Sequence, residues 1–146
     1  MTADGMTDEE KLRDKLWFYT LAQAGPAFVH QYTVDAFAAQ NASYADKPIK
    51  VVFALAGLYL HLERGFDGRQ VQRAHMQLAA GNRERAWTMP RLPMERGAVR
   101  VADVLASPEG LEREVMVDVW CSSVWQCYEE VHGEIAELCA VELGVW

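Results

Sequence analysis

The chain lacks an excess of basic residues. Among its 146 residues, 14 are Lys or Arg and 21 are Asp or Glu, which gives a formal net charge of −7 at pH 7. Proteins that bind nucleic acid need a basic face to neutralise phosphates, and anionic membranes attract basic segments in the same way. The charge balance therefore argues against nucleic acid and against a membrane surface as partners.

The chain also lacks an apolar segment long enough to cross a bilayer, which takes about 20 residues. Its longest apolar run is VVFALAGLYL, residues 51–60. The polar N-terminal stretch MTADGMTDEEKLRDK has no apolar core of the kind found in secretory signals. A composition of 51% hydrophobic and 24% charged residues is typical of a soluble globular protein. We predict one cytoplasmic domain over residues 1–146, with residues 1–6 as a flexible tail.

Paired cysteines and the common catalytic motifs are missing as well. Cys121, Cys127 and Cys139 lie in one C-terminal segment and form no CxxC pair. Their odd number and spacing argue against a disulfide framework and a zinc knuckle, so we predict free thiols. The sequence has no G-x-S-x-G, and the glycines of GFDGRQ, residues 65–70, lack the lysine of a phosphate-binding loop.

Strand-type alternation is not found, whereas apolar residues at helical spacing recur along the chain. Thr7 and Glu10 match a capping box, which predicts the start of a first helix. Gly25–Pro26 separates this helix from the next one. Pro48 and Gly65 are typical of the first residue and the C-terminal cap of a third helix. The first four predicted helices cover residues 8–23, 28–41, 48–65 and 68–80.

The rest of the sequence predicts an irregular segment and then one long helix. Two prolines and a glycine at about residues 81–100 predict a loop that crosses the bundle, and VADVLAS predicts a short helix. Ser107–Pro108 has the pattern of a helix start, and helical spacing continues to Leu143 before Gly144. Because this helix is about 50 Å long at the usual rise per residue, we expect a bend near Gly133 or an overhang that packs on a second subunit. The predicted fold is an all-α bundle of four or five helices.

Three histidines on different predicted helices are candidate metal ligands. His30, His61 and His132 would each come from one helix, and helical bundles build metal sites by projecting ligands inward from several helices. Glu129 precedes His132 by three residues, so the two side chains share one helix face. This set predicts a mononuclear site for zinc, nickel or iron with an open position. Glu129 would then be the fourth ligand or a general base.

Each histidine also has a structural interpretation. We interpret His75 as a surface residue, because its neighbours in sequence are polar. His61 shares its helix face with a seam of small residues that includes Ala54 and Gly57. Another helix can approach such a seam closely, and the imidazole of His61 would then bond a carbonyl group across the interface.

The polar residues of FVHQYTVDAFAAQN, residues 28–41, point in different directions. At about 100° per residue, His30 and Asp35 lie roughly 140° apart around the helix, too far apart to bind one ion. A buried carboxylate is costly unless it is paired, so we interpret Asp35 as a structural tie to an arginine or to a helix N-terminus. Gln40 is interpreted as bonding the following turn. His30 remains the site candidate of this helix.

Three segments resemble an uncharacterised bacterial family of small helical proteins, known as a domain of unknown function. They are HQYTVDAFAAQ (residues 30–40), ALAGLYLHLERG and GAVRVADVLAS. The resemblance extends over residues 28–134 and implies an apolar helix and a Trp-rich last helix. Besides His30, the signature positions that it marks, interpreted as structural, are Asp35, Gln40 and Glu63.

The chain departs from this family in two places. Many relatives have a CxxCG element near the N-terminus that is missing here, and some have a histidine where this chain has Ala54. In architecture alone, the chain also resembles DinB-like bundles, in which histidines from two helices hold a metal. Tyr128 and His132 stand at the spacing of their last-helix histidine pair. The resemblance implies a fold and no particular activity.

The sequence supports two hypotheses of function. The first is a non-catalytic binding or interaction module that forms a homodimer. It rests on the aromatic residues of the long last helix, which give it more apolar surface than a short bundle needs. The second is a metal-dependent enzyme or metal-binding protein that uses His30, His61, His132 and Glu129 and a reactive bound water. We favour the first hypothesis, because no complete catalytic set is present.

Overall fold

All regular secondary structure in the described part of the chain is helical. The computed structural model describes residues 6–23, 28–81 and 86–146, and these ranges contain no strand. The all-α prediction is thus confirmed, but the number of helices is seven within these ranges instead of four or five. The helices are α1 (Asp8–Leu21), α2 (Val29–Gln40), α3 (Pro48–Arg64), α4 (Gly68–Gly81), α5 (Val101–Ala106), α6 (Leu111–Cys127) and α7 (His132–Leu143).

Local signals set the ends of α1 and α3. The backbone N–H of Glu10 donates to Thr7 Oγ1, and the backbone N–H of Thr7 donates to the Glu10 carboxylate, so the predicted capping box is present. Helix α3 begins at Pro48 and ends before Gly65, whose φ of 72° suits glycine. The predicted Gly25–Pro26 boundary, residues 1–5 of the predicted tail and the first residues of the crossing loop lie outside the described residues.

The structure contains two helices, α6 and α7, where the sequence predicted one long C-terminal helix. Helix α6 begins at Leu111, after Gly110 at φ 98°, and not at Ser107–Pro108. It ends at Cys127, and a 3₁₀ turn over Glu129–Val131 leads into α7. This interruption lies just before Gly133, and there the buried Tyr128 hydroxyl donates to the Ala39 carbonyl on α2 at 2.6 Å. The bond connects the end of α6 to α2.

One hydrophobic core receives side chains from all seven helices, with α3 at its centre. The aromatic residues of α6 that suggested an excess of apolar surface belong to this core. Trp120 is fully buried, and Trp125 is 5% exposed. Within residues 6–23, 28–81 and 86–146, no helix combines the length and apolarity that a membrane crossing requires.

The crossing loop is tied to the C-terminal end of α2. Gln40 Nε2 donates to the carbonyls of Arg96 and Val99, while Gln40 Oε1 accepts the indole N–H of Trp120. In return, the guanidinium of Arg96 donates to the carbonyls of Gln40 and Ala42 at 3.2 and 2.8 Å. Carbonyl groups at the end of a helix have no partner within the helix. Gln40 and Arg96 therefore connect α2, the loop and α6.

We predict that Arg96→Met lowers the free energy of unfolding by about 2 kcal/mol or more, because several carbonyl groups lose a charged donor. The measurement is urea denaturation followed by far-ultraviolet circular dichroism. Arg91→Met is the matched control in the same loop, since Arg91 pairs with Glu130 in an exposed ion pair. Such pairs contribute at most about 1 kcal/mol. Equal effects of the two substitutions would contradict the role given to Arg96.

Candidate functional site

A pocket of about 230 Å³ opens between α1, α2, α3 and α4. We call it the Asp35 pocket. Its floor is polar, its walls are largely apolar, and two cationic side chains are part of its lining. The lining residues are Arg13, Trp17, Gln31, Val34, Asp35, Phe37, Ala38, Lys50, Phe53, Ala54 and His75.

Asp35 is a buried carboxyl group at the floor of this pocket, with 3% of its surface exposed. Its Oδ1 accepts a hydrogen bond from Gln31 Nε2 at 3.2 Å. Its Oδ2 is buried and has no hydrogen-bond partner among the described residues. Burial raises the pKa of Asp35 well above 3.8, and the bond from Gln31 offsets only part of this effect. The group is therefore a neutral carboxylic acid over a range of pH in which an exposed aspartate is ionised.

Gly57 makes the burial of this carboxyl group possible. The Asp35 carboxyl lies against the backbone of α3 at Gly57, where an added Cβ atom would overlap both Oδ2 and the carboxyl carbon. The same Cβ would lie 3.1 Å from His75 Nε2. Helices α2, α3 and α4 thus meet at the small-residue seam predicted from the sequence.

His75 and Gln31 complete the polar floor. His75 Nε2 lies 2.7 Å from the Phe53 carbonyl, and Nδ1 lies 3.5 Å from Gln31 Nε2. A carbonyl accepts and an amide nitrogen donates, so this geometry fits the neutral Nε2–H tautomer. Burial lowers the pKa of His75, which also favours the neutral ring. The closest approach of His75 to the Asp35 carboxyl is 3.9 Å, longer than a hydrogen bond.

Helix α1 supplies one wall of the pocket through Trp17 and Arg13. The indole N–H of Trp17 is buried and has no hydrogen-bond partner among the described residues. The Arg13 guanidinium carbon lies 4.7 Å from the centre of the Trp17 ring and 5.1 Å from that of Phe37. These stacked groups hold a cation over apolar rings at the pocket. Lys50 contributes a second cation from α3.

The arrangement is suited to binding. A pocket with apolar walls and a few polar groups is the usual form of a small-molecule site. Unpaired buried polar groups are rare in native proteins, because each costs about 1–3 kcal/mol. A strongly shifted pKa in a pocket is a further indication of function. The Asp35 pocket combines all three features.

The structure places the three predicted metal ligands in separate environments. His30 lies at the start of α2, where Nδ1 is 2.9 Å from Thr20 Oγ1 and burial lowers its pKa. His61 has both ring nitrogens engaged, with the Phe66 carbonyl at 3.1 Å and Asp118 at 2.7 Å. His132 stacks on the ring of Trp125, and its Nε2 lies 2.7 Å from the Trp125 carbonyl.

The remaining predicted site residues do not join these histidines in a cluster. Glu129 is exposed in the 3₁₀ turn between α6 and α7. Glu63 accepts the indole N–H of Trp125 at 2.8 Å. Within residues 6–23, 28–81 and 86–146, no group of three or more His, Cys, Asp or Glu side chains is arranged to hold a metal ion. The metal site therefore stays a prediction from the sequence.

Sequence reasoning missed the residues that surround Asp35. His75 was interpreted as a surface residue, but only 18% of its side chain is exposed. His75 turns toward α3, where its Nε2 faces the Phe53 carbonyl, and the polarity of its neighbours in the sequence does not show this. The contact between Gln31 and Asp35 has a signal in the sequence, because residues four apart share a helix face. Trp17 and Lys50 carry no such signal, since only the fold brings them to Asp35.

Comparison with known proteins identifies a family and nothing more specific. A family model described as "Family of unknown function (DUF5946)" matches residues 10–129. No curated protein and no solved structure matches the chain. The family model covers most of the chain, including every residue that lines the Asp35 pocket.

We predict that Asp35→Asn changes how stability depends on pH. Because burial raises the pKa of Asp35 above 3.8, its contribution to stability is complete below that pH. The contribution is lost as the pH rises toward the pKa of the folded state. The variant minus wild-type difference in unfolding free energy should therefore rise above about pH 4, by up to about 1.4 kcal/mol per pH unit.

The measurement is urea denaturation of both proteins between pH 3.5 and pH 8. The lowered pKa of His75 has the opposite effect, because its contribution is lost as the pH falls below 6.5. It cancels in the difference while Asp35 is neutral, and an ionised Asp35, 3.9 Å from His75, would add to the difference by acting on the ring. A difference that stays constant across this range would show that Asp35 ionises normally in the folded protein.

Proposed function

Because the chain belongs to the family DUF5946, whose function is unknown, we propose a function from its own geometry. We propose that the protein is a non-catalytic binding module and that the Asp35 pocket holds a small organic molecule. The cytoplasmic location predicted from the sequence is part of this proposal.

The observation that carries the proposal is the position of two unpaired polar atoms. Among the described residues, the buried side-chain nitrogen and oxygen atoms without a hydrogen-bond partner are Trp17 Nε1 and Asp35 Oδ2. The residues that carry these atoms line the same pocket, and the two atoms lie buried behind its surface. Leaving both groups unpaired lowers the stability of the fold by roughly 2–6 kcal/mol in total. A fold tolerates such a cost most readily where it serves a site.

Binding is a better match to the pocket than catalysis. Among the described residues, its lining contains no serine, threonine or cysteine that could act as a nucleophile. The two ring nitrogens of His75 already face the Phe53 carbonyl and the Gln31 amide. A general base needs a free lone pair within reach of the proton that it removes. The metal-dependent enzyme remains the alternative hypothesis, with His30, His61, His132 and Glu129 as its predicted residues.

We predict that a library of small acids, bases and neutral compounds contains ligands for the Asp35 pocket. Bound ligands should raise the melting temperature and should shift the ¹⁵N–¹H resonance of the Trp17 indole. At a ligand concentration of 100 times Kd, the gain in stability is about 2.7 kcal/mol.

Ala38→Leu should abolish this binding, because Ala38 lines the pocket and the larger side chain fills part of it. Ala136→Leu is the matched control, since Ala136 is also partly buried against the core but belongs to α7. Ligands that bind both variants equally well would place the binding site elsewhere. A library without any ligand would overturn the proposed function.

A specific observation also favours the homodimer. Leu111, Val115 and Val119 lie at intervals of four residues on α6 and are 75%, 54% and 44% exposed. Residues at this spacing form one ridge, and such ridges pack between helices. We propose that α6 of one protomer packs against α6 of its partner through this stripe.

We predict that Val115→Glu shifts a dimer to monomers, because a charge would then be buried at the interface. Val141→Glu is the matched control, since Val141 is an exposed valine (66%) on α7. Analytical ultracentrifugation at several protein concentrations gives the dissociation constants. A wild-type protein that stays monomeric at millimolar concentration would exclude this dimer.

A further inference from the structure

We propose that the ligand of the Asp35 pocket is a small aromatic carboxylate. This inference deepens the proposed function and rests on it, since it assigns a chemical class to the molecule that the pocket binds. Three properties of the lining carry it: the charge at the pocket, its size and the character of its walls.

The formal charge of the described lining is positive although the chain as a whole carries a formal charge of −7. Among the described residues, the cationic side chains of the lining are Arg13 and Lys50, and the acidic one is Asp35. With the Asp35 carboxyl neutral, the formal charge of the lining is positive. Outside the lining, Arg13 pairs with Asp14 at 2.8 Å and lies 4.0 Å from Glu10, and Lys50 lies 3.7 Å from Asp46. A bound anion would therefore share the two cations with these carboxylates.

The size of the pocket fits a single ring with a short polar group. A cavity of about 150 Å³ in another protein is known to hold benzene. The Asp35 pocket has a volume of about 230 Å³, which leaves room for a carboxyl group beside such a ring. This volume lies below the range of roughly 300–1,000 Å³ that is usual for larger ligands. A nucleotide or a peptide would therefore extend beyond it.

The walls are suited to an aromatic ring. Trp17 and Phe37 meet edge to face with their ring centres 6.2 Å apart. Phe53 stacks on His75 and adds a second aromatic pair, from α3 and α4, to the same lining. Aromatic rings prefer such offset and edge contacts with one another. We infer that a ligand ring packs against these aromatic side chains and that its carboxylate meets Arg13 and Lys50.

The test compares three probes of nearly one shape that differ in charge: benzoate, benzamide and benzylamine. Each is titrated into the full chain by isothermal calorimetry at low ionic strength, with the Trp17 indole resonance as a reporter of the site. We expect benzoate to bind at least about tenfold more tightly than benzamide, as one charge-assisted hydrogen bond provides. Benzylamine should show no binding, because the pocket cations repel it.

Lys50→Gln is the variant that tests the charge. This substitution should weaken the binding of benzoate about two- to fivefold, which is the effect of one partly exposed ion pair. The affinity for benzamide should not change. Lys47→Gln is the matched control, because Lys47 is an exposed lysine just before the same helix and is not part of the lining. It should leave the affinities of both probes unchanged.

The outcomes separate the ligand class from the proposed function. Equal affinities of benzoate and benzamide, or tighter binding of benzylamine, would overturn the proposal that the ligand is a carboxylate. Either result would still support the proposed function, because the pocket would bind a small molecule. Failure of all three probes would also overturn the aromatic carboxylate. The proposed function is then decided by the wider library, whose other members include aliphatic and larger compounds. Benzoate binding that Ala38→Leu does not change would overturn both.

Discussion

The packing of the Asp35 carboxyl against the backbone of Gly57 is the constraint on which the site depends. No side chain separates α2 from α3 at this point, so the carboxyl group is shielded from water on the α3 side. Burial there raises its pKa, and α4 completes the enclosure with His75. The neutral acid follows from this close approach, whereas the Nε2–H tautomer of His75 follows from the Phe53 carbonyl and the Gln31 amide that face its ring nitrogens. The absence of a Cβ atom at Gly57 thus allows the burial that keeps the Asp35 carboxyl neutral.

The middle and the C-terminal end of α2 differ in how their polar groups are paired. At the C-terminal end, the side chains of Gln40 and Arg96 form hydrogen bonds that connect helices and loop, as buried polar residues of a core commonly do. Near the middle, Asp35 and the Trp17 side chain of α1 each have a buried polar atom without a partner among the described residues. This contrast is informative, because the hydrogen bonds of Gln40 show that the same fold pairs other buried polar groups. The unpaired groups are therefore a feature of the pocket and not of poor packing in general.

The sequence predicted those elements whose signals are local. Thr7, Pro48 and Gly65 act through their own backbone and nearest turns, and the helix ends that they predicted are present. The break after Cys127 was not predicted at its place, and Tyr128 there contacts a carbonyl on α2 that is distant in the chain. Likewise, the sequence could single out Asp35 but could not identify Trp17 and His75 as its neighbours. Residues that are distant in the chain come together only through tertiary packing.

All residues that line the Asp35 pocket lie between positions 13 and 75, whereas α5, α6 and α7 come later in the chain. A ribosome makes proteins from the N-terminus at about 5–20 residues per second. The pocket residues therefore emerge several seconds before Trp120 and Tyr128, whose side chains bond Gln40 and Ala39 at the C-terminal end of α2. These bonds cannot form until the C-terminal half of the chain has been made. The residues of the site are thus all synthesised before part of the core that supports α2.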